Sequence, residues 1–168
     1  MDKHEIKLYI EELNNELKRM DVKGELCLYG GAVMCLVFDA RPSTKDVDAI
    51  FKPVQQMRLA AKYVAENNNL HEHWLNDAVK GFIVNHTQQI LFDLSNLKIY
   101  TAEPDYLLAM KTLAARIDTT DKQDIQFLIE HMGIKTAEEV FSILEKYYPH
   151  QKIKPAAQYF IEEIFDTC

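Results

Sequence analysis

Two short runs, Glu25 to Tyr29 (ELCLY) and Ala32 to Phe38 (AVMCLVF), are separated only by Gly30-Gly31. A glycine pair interrupts regular structure, so the chain must change element there. ELCLY has the length of a short buried strand. AVMCLVF is too uniformly apolar for its period to decide, and a short buried helix fits it best. The expectation is a strand, a tight Gly-Gly turn and a helix, all inside a core. Eight residues beyond Phe38, Asp46 to Phe51 (DVDAIF) alternates acid and apolar, the pattern of a second strand.

The rest of the chain can be hung on this frame. Ile6, Tyr9, Ile10, Leu13, Leu17 and Met20 recur at helical spacing and predict a helix over 3–20, capped by Asp2 and stopped before Gly24. Residues 41–44 read as a loop. Pro53 opens a helix that ends at Asn67-Asn68-Asn69. Residues 71–82 predict a short helix, and Gln89–Phe92 and Leu97–Ala102 two further strands. Helices alone follow. Pro104 opens one over 104–116. Thr120 caps one ending at Gly133, and Thr136-x-x-Glu139 is a capping box for one that stops at Pro149. The last covers 155–166. The fold class is α+β, with a mixed first part over 1–103 and a helical C-terminal part over 104–168 that forms one unit with it.

Composition narrows the function classes. Of 168 residues, 48% are apolar and 27% charged, ordinary for a globular domain. No stretch approaches the ~18 apolar residues of a membrane span, so no membrane is expected. The charged first twenty residues resemble neither a secretory signal nor a transit peptide. Net charge is −7, with the excess acid at the two ends and a balanced middle. General DNA binding is disfavoured, because that needs a basic surface. Cys27, Cys35 and Cys168 form no CxxC pair. Two lie in apolar runs, so a reduced, cytoplasmic protein is expected.

The chemistry-bearing residues cluster in the first half. Asp46 and Asp48 fall on one face of a strand, about 6.6 Å apart along the chain at ~3.3 Å per residue. Two carboxylates at that spacing can grip a hard cation such as Mg²⁺, whose remaining shell comes from water and phosphate. Gly30-Gly31 lets a backbone approach a phosphate closely. Arg41, Thr44 and Lys45 place two cations and a hydroxyl just ahead of the acids. Other features are weaker. His71-x-His73 offers two metal ligands without a third. Trp74 reads as an anchor for an Asn76-Asp77 turn, either residue of which could line the site.

In order, the chain therefore reads strand, Gly-Gly, helix, Arg-x-x-Thr-Lys, Asp-x-Asp. LYGGAVMCLVFDARPSTKDVDAIF (28–51) resembles the signature of the DNA polymerase beta-like nucleotidyltransferases. PDYLLAMKTLAAR (104–116) and DKQDIQFL (121–128) are similar to the Lys-bearing and Asp-bearing helical motifs of the abortive-infection toxin branch. WLNDAVKGF (74–82) and EKYYP (145–149) resemble a small prokaryotic nucleotidyltransferase-like family.

The resemblance implies a small mixed-sheet nucleotidyltransferase core flanked by helices, with a helical C-terminal cap. It implies a Mg²⁺-dependent enzyme, with two ions, that moves NMP from an NTP to an acceptor hydroxyl on tRNA, a protein or a small molecule. A toxin with an antitoxin protein as partner is the setting that branch implies. Gly30 and Gly31 would hold the triphosphate and Asp46 and Asp48 the metal. Lys111 would contact phosphate, and Asp124, or else Asp121, would act as base or metal helper. The chain departs from the pattern in one respect. The strand LKIYTA (97–102) lacks the third metal-binding acid that many members carry, leaving Asp77 and Asp93 as candidates. The alternative is a catalytically degenerate nucleotide- or partner-binding module on the same fold.

Overall fold

A computed structural model describes residues 1–114 and 119–166. The architecture is α+β: a five-stranded mixed sheet and, among the described residues, seven α-helices. The chain divides into two compact units, Met1–Ile83 with Gln88–Ala102, and Val84–Thr87 with Glu103–Cys168. No helix among the described residues is long and apolar enough to cross a membrane.

The first unit opens with helix α1 (Lys3–Arg19). Asp2 caps it, and the box is complete: Glu5 N–H donates to Asp2 Oδ1 and Asp2 N–H to Glu5 Oε2, both at 2.8 Å. Its stripe of Ile6, Tyr9, Ile10, Leu13 and Leu17 is buried. Strand β1 (Gly24–Tyr29) follows and includes Gly24, which was expected only as a break. The reason is close packing. A Cβ on Gly24 would stand 2.8 Å from Met57 Sδ and 2.9 Å from Leu17 Cδ1. Helix α2 (Gly30–Leu36) starts at the first glycine of the pair. Strand β2 (Val47–Lys52) begins one residue after Asp46, and helix α3 (Val54–Asn68) ends at Asn69, whose backbone is left-handed (φ 53°).

Residues 71–82 differ from the expected helix. They form a two-residue strand, β3 (Leu75–Asn76), and a 3-10 turn, Ala78–Phe82. Trp74 accounts for this. It is 2% exposed, its indole N–H donates to Ala61 O at 2.9 Å, and its ring meets Tyr9 edge-on. Once Trp74 is buried there, its carbonyl accepts from Val47 N–H at 2.6 Å and the next residues join the sheet edge. Strands β4 (Gln88–Asp93) and β5 (Leu97–Ala102) complete the order β3-β2-β1-β5-β4. β1 runs antiparallel to β2 and parallel to β5, and β4 is antiparallel to β5. Leu26, Leu28, Ala49, Phe51, Leu97 and Ile99 share one buried face with Gly24, which packs on α1 and α3. Asp48, Ile50 and Lys52 alternate onto the other.

The second unit holds α4 (Pro104–Ala114), α5 (Thr119–His131), α6 (Ala137–Tyr147) and α7 (Pro155–Phe165). Residues 115–116 of the expected 104–116 helix, and Cys168, lie outside the described residues. Thr120 stands inside α5 and does not cap it, because the helix already includes Thr119. α5 closes on Gly133 (φ 68°), with Ile134 N–H donating to Ile129 O and Gly133 N–H to Glu130 O, a left-handed glycine cap. At α6, Thr136 Oγ1 accepts from Glu139 N–H, but Glu139 returns to Lys135 N–H rather than Thr136 N–H. The expected box is therefore half formed.

Tyr106 and Tyr148 join hydroxyl to hydroxyl at 2.9 Å, and His86 stacks on Tyr106. Beside them Asp105 accepts from Tyr147 Oη (2.7 Å), Lys146 Nζ (3.2 Å) and Tyr106 N–H (2.7 Å). Partial burial pushes the Asp105 carboxyl up, but these donors outweigh it and hold it below the usual carboxylate range. A depressed folded pKa contributes stability above the unfolded value of about 3.9 and loses it as pH falls. Tyr147→Phe should therefore cost about 1 kcal/mol at pH 7. In urea titrations the gap from wild type should shrink below about pH 4; a gap independent of pH would remove the assignment.

Candidate active site

The site grows out of the turn between β1 and α2. Gly30 has φ +62°, a conformation that L side chains rarely adopt. A Cβ there would stand 2.9 Å from Asp48 Oδ2, so the Asp48 carboxylate lies directly against the glycine backbone. The β1–β2 register explains the approach: Tyr29 pairs with Asp48, and Gly30 is the next residue. A Cβ on Gly31 would meet Arg41 Nη1 at 2.5 Å and Thr44 Oγ1 at 2.7 Å. The fold thus gathers Gly30, Gly31, Arg41, Thr44 and Asp48 in one place, although they span nineteen positions of sequence. α2 has only seven residues, so its dipole adds little to the field at the turn, where the charges are those of Arg41 and Asp48.

The loop 37–46 that carries Arg41 is tied down at several points. Ala40 N–H donates to Met34 O at 2.8 Å. Thr44 N–H donates to Met1 O, and Met1 N to Thr44 O, both at 2.8 Å. Thr44 Oγ1 donates to Asp46 O at 3.1 Å. Asp46 is half-buried immediately ahead of β2, and Lys45 is exposed. These ties of Thr44 were not anticipated, since no spacing rule links residues 1 and 44.

LKIYTA carries no acid, and the strand registers place the other candidates. Asn76, a neutral amide, is the β3 residue paired with Asp48. Its neighbour Asp77 accepts from Arg58 at 3.0 and 3.2 Å. Asp93 pairs with Lys98, which pairs with Glu25, four residues along β1 from Tyr29. At about 3.3 Å per residue that is ~13 Å from the Asp48 row, at the opposite end of the sheet. Among the described residues no three His, Cys, Asp or Glu side chains converge on a metal position, and the His71–His73 pair gains no third ligand. Asp46 and Asp48 remain a pair. That suits Mg²⁺ held by one or two carboxylates and completed by substrate phosphates, and does not suit an all-protein cage.

Lys111 and Asp124 belong to the second unit. Lys111 Nζ on α4 is 2.6 Å from Asp124 Oδ2 on α5 and 3.8 Å from Asp121 Oδ1. The Lys111 and Asp124 side chains are 10% and 2% exposed. The lysine does not snorkel outward; its charge is neutralised between two helices. Removing one member of a buried pair strands the other. Cys27 and Cys35 are free and buried, and burial pushes the Cys27 thiol up to about 11 against an opposing bond from Tyr29. Neither is a nucleophile at neutral pH.

Two stability measurements test this geometry. Gly30→Ala should lose at least about 1–2 kcal/mol through its left-handed backbone. Gly81→Ala, where a Cβ meets nothing within 4 Å, should be close to neutral, and equal losses would contradict the crowding. Asp124→Ala should cost about 3 kcal/mol, and Lys111→Met added to it should recover much of that. A double variant no better than the single would show that the pair is not the source.

A family model described as a nucleotidyltransferase of unknown function (DUF6036) matches residues 5–151. No curated protein and no solved structure is significantly similar to the chain. The match runs from α1 to the segment after α6 and takes in the Gly-Gly turn, the Asp-x-Asp strand and the Lys111–Asp124 helices. The chain belongs to this nucleotidyltransferase family.

Proposed function

We propose that the protein is a Mg²⁺-dependent enzyme of the DNA polymerase beta-like kind, which moves NMP from an NTP to an acceptor hydroxyl. The observation that carries this reading is the contact between the Gly30 backbone and the Asp48 carboxylate, with Arg41 over Gly31 beside it. A triphosphate needs a backbone it can approach, a cation to offset its charge and carboxylates to share its metal. The cation Arg41 and the carboxylate Asp48 stand at the turn itself, and Asp46 lies two residues ahead of Asp48.

Asp46 and Asp48 would hold one Mg²⁺ between them and the phosphate oxygens. Bound there, the ion would withdraw charge from the phosphate and favour attack at the α-phosphorus. The chain's own groups do the rest. Gly30 and Gly31 let Asp48 and Arg41 close in on the turn, so a phosphate would meet those side chains there. The Arg41 guanidinium would offer charged donors to the phosphate, and Lys45, two residues before β2's first residue, adds an exposed positive charge. In the transfer, the acceptor oxygen bonds to the α-phosphorus and the bond to the bridging oxygen breaks. Pyrophosphate leaves with that electron pair, and the acceptor proton passes to solvent. Positioning and charge compensation dominate such a reaction. Lys111 and Asp124 are assigned to joining α4 and α5, since each already satisfies the other.

The second reading, a nucleotide-holding module without turnover, is favoured by the lack of a converging third acid among the described residues. One experiment separates the two. Protein is incubated with each α-labelled NTP, Mg²⁺, total tRNA and cell lysate, beside an Asp46→Asn/Asp48→Asn control. Label on an acceptor, absent from the control, is expected and would identify the acceptor class, including tRNA or protein if the protein acts as a toxin. Binding is read in parallel. Mg²⁺-NTP at 100 times its Kd should add about 2.7 kcal/mol of stability, and Asp48→Asn should abolish the Mg²⁺-dependent part. Binding without transfer would favour the module, and equal shifts in wild type and Asp48→Asn would remove the metal assignment.

A further inference from the structure

We propose that Thr44 is a positioning residue for the metal-facing carboxylates rather than a phosphate ligand; this rests on the nucleotidyltransferase reading above. A threonine beside a glycine turn would ordinarily be taken to donate its hydroxyl proton to a phosphate oxygen. Here that proton is committed. A hydroxyl has one donor, and Thr44 Oγ1 donates it to Asp46 O at 3.1 Å. What remains on the oxygen is acceptor capacity, which an anionic phosphate cannot use.

The backbone of Thr44 is held equally firmly. Its N–H reaches Met1 O and its carbonyl accepts from Met1 N, both at 2.8 Å, a two-way pairing with the residue that leads into α1. The fixed backbone of residue 44 therefore carries a hydroxyl that grips the peptide of residue 46. That peptide sets where the Asp46 side chain leaves the chain, one residue before β2 begins and two before Asp48. The same hydroxyl oxygen stands 2.7 Å from the Cβ position of Gly31, so the tie runs alongside the glycine that Arg41 covers. Lys45, between the two tied residues, is exposed and does not share in the hold. The first carboxylate of Asp-x-Asp lies outside the sheet ladder, and Thr44 takes the ladder's place in orienting it.

The test compares wild type, Thr44→Val, Thr44→Ser and Asp93→Asn, which alters the far end of the sheet. Each is titrated with an NTP with and without Mg²⁺, and with Mn²⁺ alone followed by water proton relaxation. Thr44→Val should weaken Mn²⁺ binding and the Mg²⁺-dependent part of NTP binding about tenfold, the loss of one hydrogen bond in an ordered site. NTP binding without Mg²⁺ should stay unchanged, because the glycines and Arg41 are untouched. Thr44→Ser, which keeps the hydroxyl, should match wild type, as should Asp93→Asn. Wild-type affinity in Thr44→Val, or a tenfold loss in Thr44→Ser, would overturn the proposal. So would an equal loss with and without Mg²⁺, since that marks a phosphate contact. If Thr44→Val does not fold, Thr44→Ala takes its place. If wild type binds Mn²⁺ but no NTP, the nucleotide reading fails and Mn²⁺ alone decides on Thr44. If it binds neither, both fail.

Discussion

The antiparallel register of β1 against β2 is the constraint from which the rest of the first unit follows. Tyr29 sits opposite Asp48, so the chain leaving β1 passes the Asp48 carboxylate at its next residue. A residue with a Cβ would be strained in that passage, since φ is +62° and the Cβ would stand 2.9 Å from Asp48 Oδ2. A slip of one residue would turn every β2 side chain over. Asp48 would enter the face filled by Leu26, Leu28 and Phe51, and Ala49 would leave it. The apolar alternation Val47, Ala49, Phe51 is thus also what presents the carboxylate. Packing and chemistry are specified by the same period of two.

Charge is distributed along the sheet in keeping with this. At one end, the Asp48 row holds acid beside a neutral amide, Asn76, with Arg41 nearby over Gly31. At the other end Lys52, Glu25, Lys98 and Asp93 follow one another across four strands with alternating sign. Opposite charges facing across strands neutralise each other, and Lys52 Nζ stands 3.1 Å from Glu25. That end has little net field to attract a phosphate. The end with the glycine turn instead brings the Asp48 carboxylate and the Arg41 guanidinium to the two glycines.

Much of this was legible in the residues. The Gly-Gly boundary, the strands beginning near residues 25, 46, 89 and 97, and the capping of α1 by Asp2 all follow from local rules that the fold obeys. What was not legible depends on contacts between distant residues. β3 has two residues and no pattern of its own; it exists because burial of Trp74 brings the backbone to Val47. Gly24 looked like a break because its need for a close approach to Met57 and Leu17 is a tertiary fact. Lys111 and Asp124 were marked by motif, but their mutual neutralisation appears only when α4 meets α5. Thr120 falls inside its helix, and Glu139 misses its box by a single residue, the scale on which helix ends are decided by their surroundings.

Residues 84–87 have a consequence for any attempt to divide the chain. They belong with the helical unit: Val84 N–H donates to Tyr106 Oη at 3.1 Å, and His86 stacks on the same ring. Yet they are encoded between the 3-10 turn and β4, inside the stretch that builds the sheet. The polypeptide therefore passes from one unit to the other at 83/84, 87/88 and 102/103 rather than once. A cut at residue 103 does not release two whole domains. It strips a strap from the helices and leaves the sheet carrying a segment whose partners are gone. Half-molecules, domain grafts and duplication of either part are accordingly poor routes for this chain, whether in the laboratory or in evolution, and the two units should be gained and lost together.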